Sequence, residues 1–487
     1  MPPLSRKLDD LNRKGLQLKE EALRCAIEAE LSGAKPNLQR LDHLREELDY
    51  VTLRLYRNRK KVILDPDPLQ TVTPSREKRP LSKCNSRSRL LTTDYRQGML
   101  ASEGANMTDH MPDDLSAAGR DLRAYTDELR PKHPVIRNLA GEWVLLRYAE
   151  VFAAALDHER FSSKVSRYLQ IPNGLDGEEH TRYREIIERH LSRVALEPFV
   201  PVFESVATQL MANLPRRAVV DAVRDIGAVF AVRAQCKWLG WPAELEPRLL
   251  AWMEENHTAT RSGDSAWMAD VAEQFDRIIL SVILPRRAME GTPPDDVTTR
   301  LCRQVVDGRL LTETELVSIL RNWTGGDLGS IALCIGVLVA HVALQPGLAE
   351  RLRTAADSEV EGVIDEILRL DDPFVSNRRI TTCPVHIGGQ DIPGGARVKL
   401  NWTSANRDES VFDNNRFAPE RNAAANLVYG LGKHVCPGRL LATWELRIAL
   451  QALLASVQTI ELAPDQQPER EMAPVGGYHR VPVILSE

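Results

Sequence analysis

One short segment constrains this chain more than any other. Tyr429–Gly438 reads YGLGKHVCPG and runs straight into RLLATWELRIALQALLASV, a stretch with helical periodicity. Three glycines and a proline around a single cysteine are poor material for a packed core. Glycine permits tight, unusual backbone and lets another object approach closely. At the mouth of a helix, backbone N–H groups and the positive dipole end favour a thiolate at Cys436. A thiolate on such a loop suits a metal with one protein ligand, and iron in haem held by cysteine is that case. The other cysteines, at 25, 84, 236, 302, 334 and 383, are widely spaced, and no CxxC occurs. They read as free thiols of a reducing compartment.

The loop resembles the haem-binding loop of the cytochrome P450 family, Phe-Gly-x-Gly-x-(His/Arg)-x-Cys-x-Gly. Gly430, Gly432, His434, Cys436 and Gly438 match, and Tyr429 stands where the family has Phe. Further matches follow in the family's order. Glu366 and Arg369 fit ExxR in EGVIDEILRL, where a helix puts them on one face and within pairing reach. Phe417–Arg421 (FAPER) resembles FxPxR, so Arg421 would complete a Glu366–Arg369–Arg421 network. His180 and Arg184 fit HxxxR, and their i,i+4 spacing shares a helix face. The resemblance implies that both donate to a haem propionate. Arg379, in NRRITTCPVHIGG, matches the strand arginine that contacts the other propionate, with Arg378 the alternative if the register slips by one. His434 also fits a propionate role. Four such groups against two carboxylates make good electrostatic sense.

The family's central helix carries (Ala/Gly)-Gly-x-(Asp/Glu)-Thr. The matching stretch is Thr324-Gly325-Gly326-Asp327-Leu328, ahead of the apolar run Ile331–Gln345. Gly325 and Gly326 leave room beside the haem and weaken helix hydrogen bonding, so a local bulge is expected. Asp327 fits the acid. Leu328 occupies the place of the alcohol, which in the resemblance delivers protons to dioxygen, and a leucine can neither donate nor accept. Thr324, Ser330 or a substrate hydroxyl would have to serve, or peroxide would replace dioxygen.

The resemblance implies a mainly α protein with small β-sheets, the haem–thiolate fold, over residues 113–487. It implies heme b as cofactor, Cys436 as its iron ligand, and a monooxygenase acting on a small organic substrate. A peroxide-driven peroxygenase and a non-catalytic haem protein are the alternatives. The chain carries no GxGxxG and no clustered cysteines, so electrons would come from a separate ferredoxin and ferredoxin reductase. These would dock near Lys433 and Arg439. Substrate contacts are expected before His180, at Pro373, Phe374 and Val375, and along Gly325–Gly329, with helices of 195–290 covering the pocket.

The first hundred residues are surplus to that domain. Residues 1–62 read as two amphipathic helices around the turn SGAKPN, a hairpin suited to packing or self-association. Residues 63–112, rich in Pro, Ser, Asp and basic side chains, read as a linker. Met99, Met107 and Met111 stand at its end, where a start codon would delete everything before it. The whole chain has 63 Lys+Arg against 68 Asp+Glu, for a net charge of −5. That balance argues against a nucleic-acid binder. No secretory signal opens the sequence, and the longest apolar run, carrying His341, is short for a membrane span. A cytoplasmic protein is expected.

Overall fold

The computed structural model describes His110, Met111 and residues 121–487, apart from 290, 291, 293, 473 and 474. The chain divides into two units, Met1–Ala101 and Ser102–Glu487, and the described residues all belong to the second. The expected hairpin over 1–62 lies outside the described residues. So does the expected linker over 63–112, except that His110–Met111 forms a short strand parallel to Val135–Asn138.

Helices dominate, with one six-stranded sheet and several small ones at their margin. In the large sheet the strand order is His110–Met111, Val135–Asn138, Trp143–Leu145, Arg397–Asn401, Ser376–Thr381, Phe161–Ser162. Arg397–Asn401 and Ser376–Thr381 run antiparallel, with Val398 opposite Arg379 and Lys399 opposite Arg378. Alternation along a strand therefore sends Arg378 and Arg379 to opposite faces.

The central helix begins at a capping box. The Thr312 hydroxyl accepts from the Glu315 N–H, and the Glu315 carboxylate accepts from the Thr312 N–H at 2.6 Å. It runs as Glu313–Leu320, one widened π turn at Arg321–Gly325, and Gly326–Leu344. The loosened turn falls at the glycine pair, where the ladder is weakest. By length and composition Glu313–Leu344 could cross a membrane. In this fold, however, Ile331, Leu333, Val337, Leu338 and Ala340 are buried among other helices.

Two elements close on that helix. The segment Ala222–Ala228 lies directly against it: a Cβ on Gly227 would sit 2.5 Å from the Ala332 carbonyl oxygen. Any larger residue would force the two apart. The C-terminal helix Arg439–Ser456 buries Leu441, Leu446, Ile448, Leu450 and Leu453 in the same core. Each such side chain contributes about 1.5–3 kcal/mol. The glycine–cysteine loop thus runs straight into a helix anchored in the core.

Candidate active site

Backbone geometry shapes the cysteine loop. The Cys436 N–H donates to the Tyr429 carbonyl at 2.8 Å, closing the loop on itself. Gly432 is the position no other residue could take. Its φ is +71°, and a Cβ there would lie 2.9 Å from the Ala155 carbonyl oxygen on the helix Tyr148–Leu156. The chain then makes a short turn at Gly432–His434 and enters the C-terminal helix at Arg439. Burial pushes the Cys436 thiol up to about 11, against the opposing pull of the Gly438 N–H and of Arg184 and Arg439. Desolvation therefore outweighs the helix mouth and the nearby cations at this thiol. The Tyr429 hydroxyl, absent from the family's Phe, meets the Thr443 hydroxyl at 3.1 Å.

Beside the loop stand the expected donors. His180, on the helix Gly177–His190, is 1% exposed, and its ring lies 4.3 Å from that of His434. Neither nitrogen of the His180 ring has a hydrogen-bond partner. Burial, reinforced by His434 and Arg184, pulls its pKa down to about 3. Buried polar atoms in folded proteins are almost always paired, so these orphans mark where a further group belongs. His434 meets Ser163 Oγ at 3.0 Å and lies 3.7 Å from Asp176. Neither partner is expected from the sequence. Arg184 holds Glu188 at 2.6 Å. Arg379 is buried, donates to the Arg378 carbonyl at 2.8 Å, and has its pKa lowered to about 10 by desolvation. Arg378 points the other way and lies 3.4 Å from Glu142. Arg379, and not Arg378, is thus the arginine that acts on His434.

A cleft of about 890 Å³ adjoins the central helix. Pro373, Phe374 and Val375 line it, as do Gly325, Gly326, Gly329, Ser330 and Leu333. Val165–Tyr168 and the helix Glu246–Ser262 line it from other sides.

Of the expected catalytic positions Gly325 and Gly326 line the cleft, whereas Thr324, Asp327 and Leu328 do not. Leu328 is fully buried. Thr324 is buried and its hydroxyl has no partner. Asp327 accepts a hydrogen bond from Gln235, and burial raises its carboxyl to about 7 against that bond. On this helix the hydroxyl residue that lines the cleft is Ser330, two residues after Leu328, whose Oγ donates to the Gly326 carbonyl at 2.7 Å. Behind Asp327, Glu445 is fully buried with both oxygens unpartnered. Desolvation, aided by Asp327, lifts its pKa far above the carboxylate range.

The ExxR pair forms as expected. Arg369 donates to Glu366 at 2.8 and 2.9 Å, with both side chains fully buried. The third partner is different. Arg421 is exposed and reaches Asp413 at 3.1 Å. Glu366 instead accepts from the Ala418 N–H at 2.9 Å and from Asn422 Nδ2 at 2.8 Å. The turn Pro419–Asn422 sends Arg421 outward and brings the next residue in.

Comparison with known proteins settles the family. A cyclomarin C epoxidase of Salinispora arenicola, CymV, is 30% identical over 359 residues, spanning 71% of this chain and 91% of that protein. The chain belongs to the cytochrome P450 family. A family model described as Cytochrome P450 matches residues 360–482 of this P450. The erythromycin C-12 hydroxylase of Saccharopolyspora erythraea is 26% identical over 391 residues, 74% of this chain and 94% of its own. The open structure of cytochrome P450 EryK from S. erythraea superposes with a TM-score of 0.69 at 24% identity, over 75% of this P450 and 95% of that chain. The fold is therefore the P450 fold. Haem is the family's cofactor, and the residues present fit it: a buried thiol on a bare glycine loop, with two orphaned imidazole nitrogens and two arginines nearby.

Proposed function

We propose that this P450 binds heme b through the Cys436 sulfur and inserts one oxygen atom of O₂ into a small organic substrate. Two electrons come from separate proteins, a ferredoxin and its reductase, in the cytoplasm. The observation that carries this reading is His180, buried 4.3 Å from His434 with both nitrogens unpartnered. The epoxidation and hydroxylation for which its relatives are named are oxygen insertions of this class.

When bound, haem supplies oxygen activation, and thiolate ligation favours O–O cleavage. The residues of the chain do the rest. His180, Arg184, Arg379 and His434 present donors and positive charge suited to two propionates. A Cβ at Gly326 would meet nothing within 4 Å, so the wall there is bare and a substrate carbon can approach. Ser330 holds a hydroxyl on the cleft face, where it can pass a proton with water. This hydroxyl favours the dioxygen-driven reading over the peroxide-driven one, whose motive was Leu328. The partner would dock over Lys433 and Arg439, the latter 59% exposed beside Asp365.

The test is the reduced CO-difference spectrum. A strongly red-shifted Soret band is expected, and Cys436→Ala should abolish it. An intact band in that variant overturns the assignment. Turnover with H₂O₂ but none with a competent ferredoxin system would select the peroxygenase instead.

A further inference from the structure

Gly329 is an open spot on the cleft wall. It lines the cleft one residue after the buried Leu328. With no side chain it leaves a space, and an imidazole fills it. A Cβ at Gly329 would meet His257 Nε2 at 3.2 Å and no other neighbour within 4 Å. His257 comes from the helix Glu246–Ser262, where Met253, Asn256, His257 and Thr260 share the cleft face at helical spacing. The central helix itself offers poor proton carriers. Thr324 and Leu328 are buried, Asp327 is bound to Gln235, and the Ser330 hydroxyl spends its proton on the Gly326 carbonyl. Among the described residues that line the cleft there is no Asp, Glu or Cys, and His257 is the one imidazole. Lysine, arginine and tyrosine hold their protons too tightly to exchange them near neutral pH. Imidazole does exchange them there. Burial lowers the His257 pKa, Arg261 and His479 push the same way, and Glu471 and Glu254 pull against them. At neutral pH the ring is therefore uncharged, with one N–H to give and one lone pair to receive a proton.

We propose that His257 is the acid–base residue of the oxygen chemistry and stands in for the alcohol that Leu328 replaces. This rests on the monooxygenase reading and names the proton carrier that reading needs. For each O₂ consumed, two electrons arrive from the ferredoxin and two protons from solvent. One oxygen atom enters the substrate and the other leaves as water. Nε2 gives its proton to the oxygen that leaves, and Nδ1 takes one from a water in the cleft. The ring ends uncharged, and no bond to it forms. Gly329 makes room for this, because a larger residue there would press on the imidazole. Ser330, whose proton is engaged on Gly326, passes on only what a neighbour supplies.

The test uses the haem-loaded protein and two variants. His257→Leu removes the hydrogen bond, and His257→Gln keeps a donor that exchanges no proton. The first readout is the infrared stretching band of carbon monoxide bound to the reduced protein. A donor beside carbon monoxide lowers that frequency, so the band should rise in His257→Leu and stay near the native value in His257→Gln. The second readout is H₂O₂ released per NAD(P)H consumed with a surrogate ferredoxin and its reductase. That ratio should rise several-fold in both variants. An infrared band that is the same in the native protein and in His257→Leu overturns the proposal, and so does a ratio that either variant leaves unchanged. If His257→Leu does not fold, the ratio in His257→Gln decides alone. The CO-difference spectrum of the same preparations separates the two claims. A normal Soret band with both readouts unmoved sinks the role of His257 alone, whereas a missing band in the native protein sinks the haem–thiolate reading.

Discussion

Replacing Glu366 with Gln tests how the cysteine end of the fold is held together. The glutamate accepts four hydrogen bonds, two from Arg369, one from the Ala418 N–H and one from Asn422. Gln keeps the shape but removes the charge. Arg369 is then a fully buried guanidinium without a counter-ion, although its stacking on Phe412, 4.4 Å away, remains. Stranding a buried charge costs about 3–5 kcal/mol. That is about a fifth or more of the roughly 5–15 kcal/mol that separates folded from unfolded protein. The neighbours should rank below it. Asn422→Ala removes the bond to Glu366 and one to the Arg416 carbonyl at 3.2 Å, for about 1–3 kcal/mol. Arg421→Ala breaks only an exposed pair with Asp413 and should cost under about 1 kcal/mol. Urea unfolding followed by tryptophan fluorescence measures all three. With a slope of a few kcal/mol per molar, Glu366→Gln should lower the midpoint by about 1 M or more. A Glu366→Gln variant within about 1 kcal/mol of the native protein would refute the buried-charge account. Equal damage from Arg421→Ala would refute it too, because Arg421 would then belong to the network after all.

Other expectations follow from the same structure. Ser330→Ala should raise the H₂O₂ released per NAD(P)H consumed in a ferredoxin-driven assay. Leu328→Ala should leave that ratio unchanged while costing about 2–5 kcal/mol in urea, because it opens a buried cavity. Asp327 titrates near 7 when folded and near 4 in the unfolded chain. Between those values the folded state holds a proton that the unfolded state has lost, so its contribution to stability falls as pH rises from about 4 to 7. Asp327→Asn should therefore gain more over the native protein in thermal melts at pH 8 than at pH 5, and an equal gain at both refutes the burial argument. Tyr429→Phe deletes the contact with Thr443 and should cost about 0.5–1.5 kcal/mol by urea midpoint while preserving the CO band.

Much of the site is legible in the sequence because its constraints are local. A glycine with φ +71° packed against Ala155 leaves a mark at Gly432 itself. A pair three residues apart on one helix, Glu366 and Arg369, is visible without knowing what else surrounds it. Arg421 and Asn422 are harder. Which of two adjacent residues turns inward depends on where the turn Pro419–Asn422 meets the ExxR helix, and spacing does not carry that. Ser163, Asp176 and Gln235 had no local signal either, since their partners lie 271, 258 and 92 positions away.

The sequence by itself determined the chemistry: a single cysteine on a glycine-rich loop before a buried helix, with the ExxR pair and histidine–arginine motif in the family's order. Those features are short-range, so backbone conformation and helical spacing suffice to read them. Tertiary structure decided which side chains face the cleft. On the central helix Ser330 lines it, while Leu328 is fully buried. Strand pairing sends Arg379 inward and gathers Arg378, Arg397 and Lys399 on the other face. One step of strand register redirects every side chain beyond it, and only the pairing of distant segments fixes which choice is made.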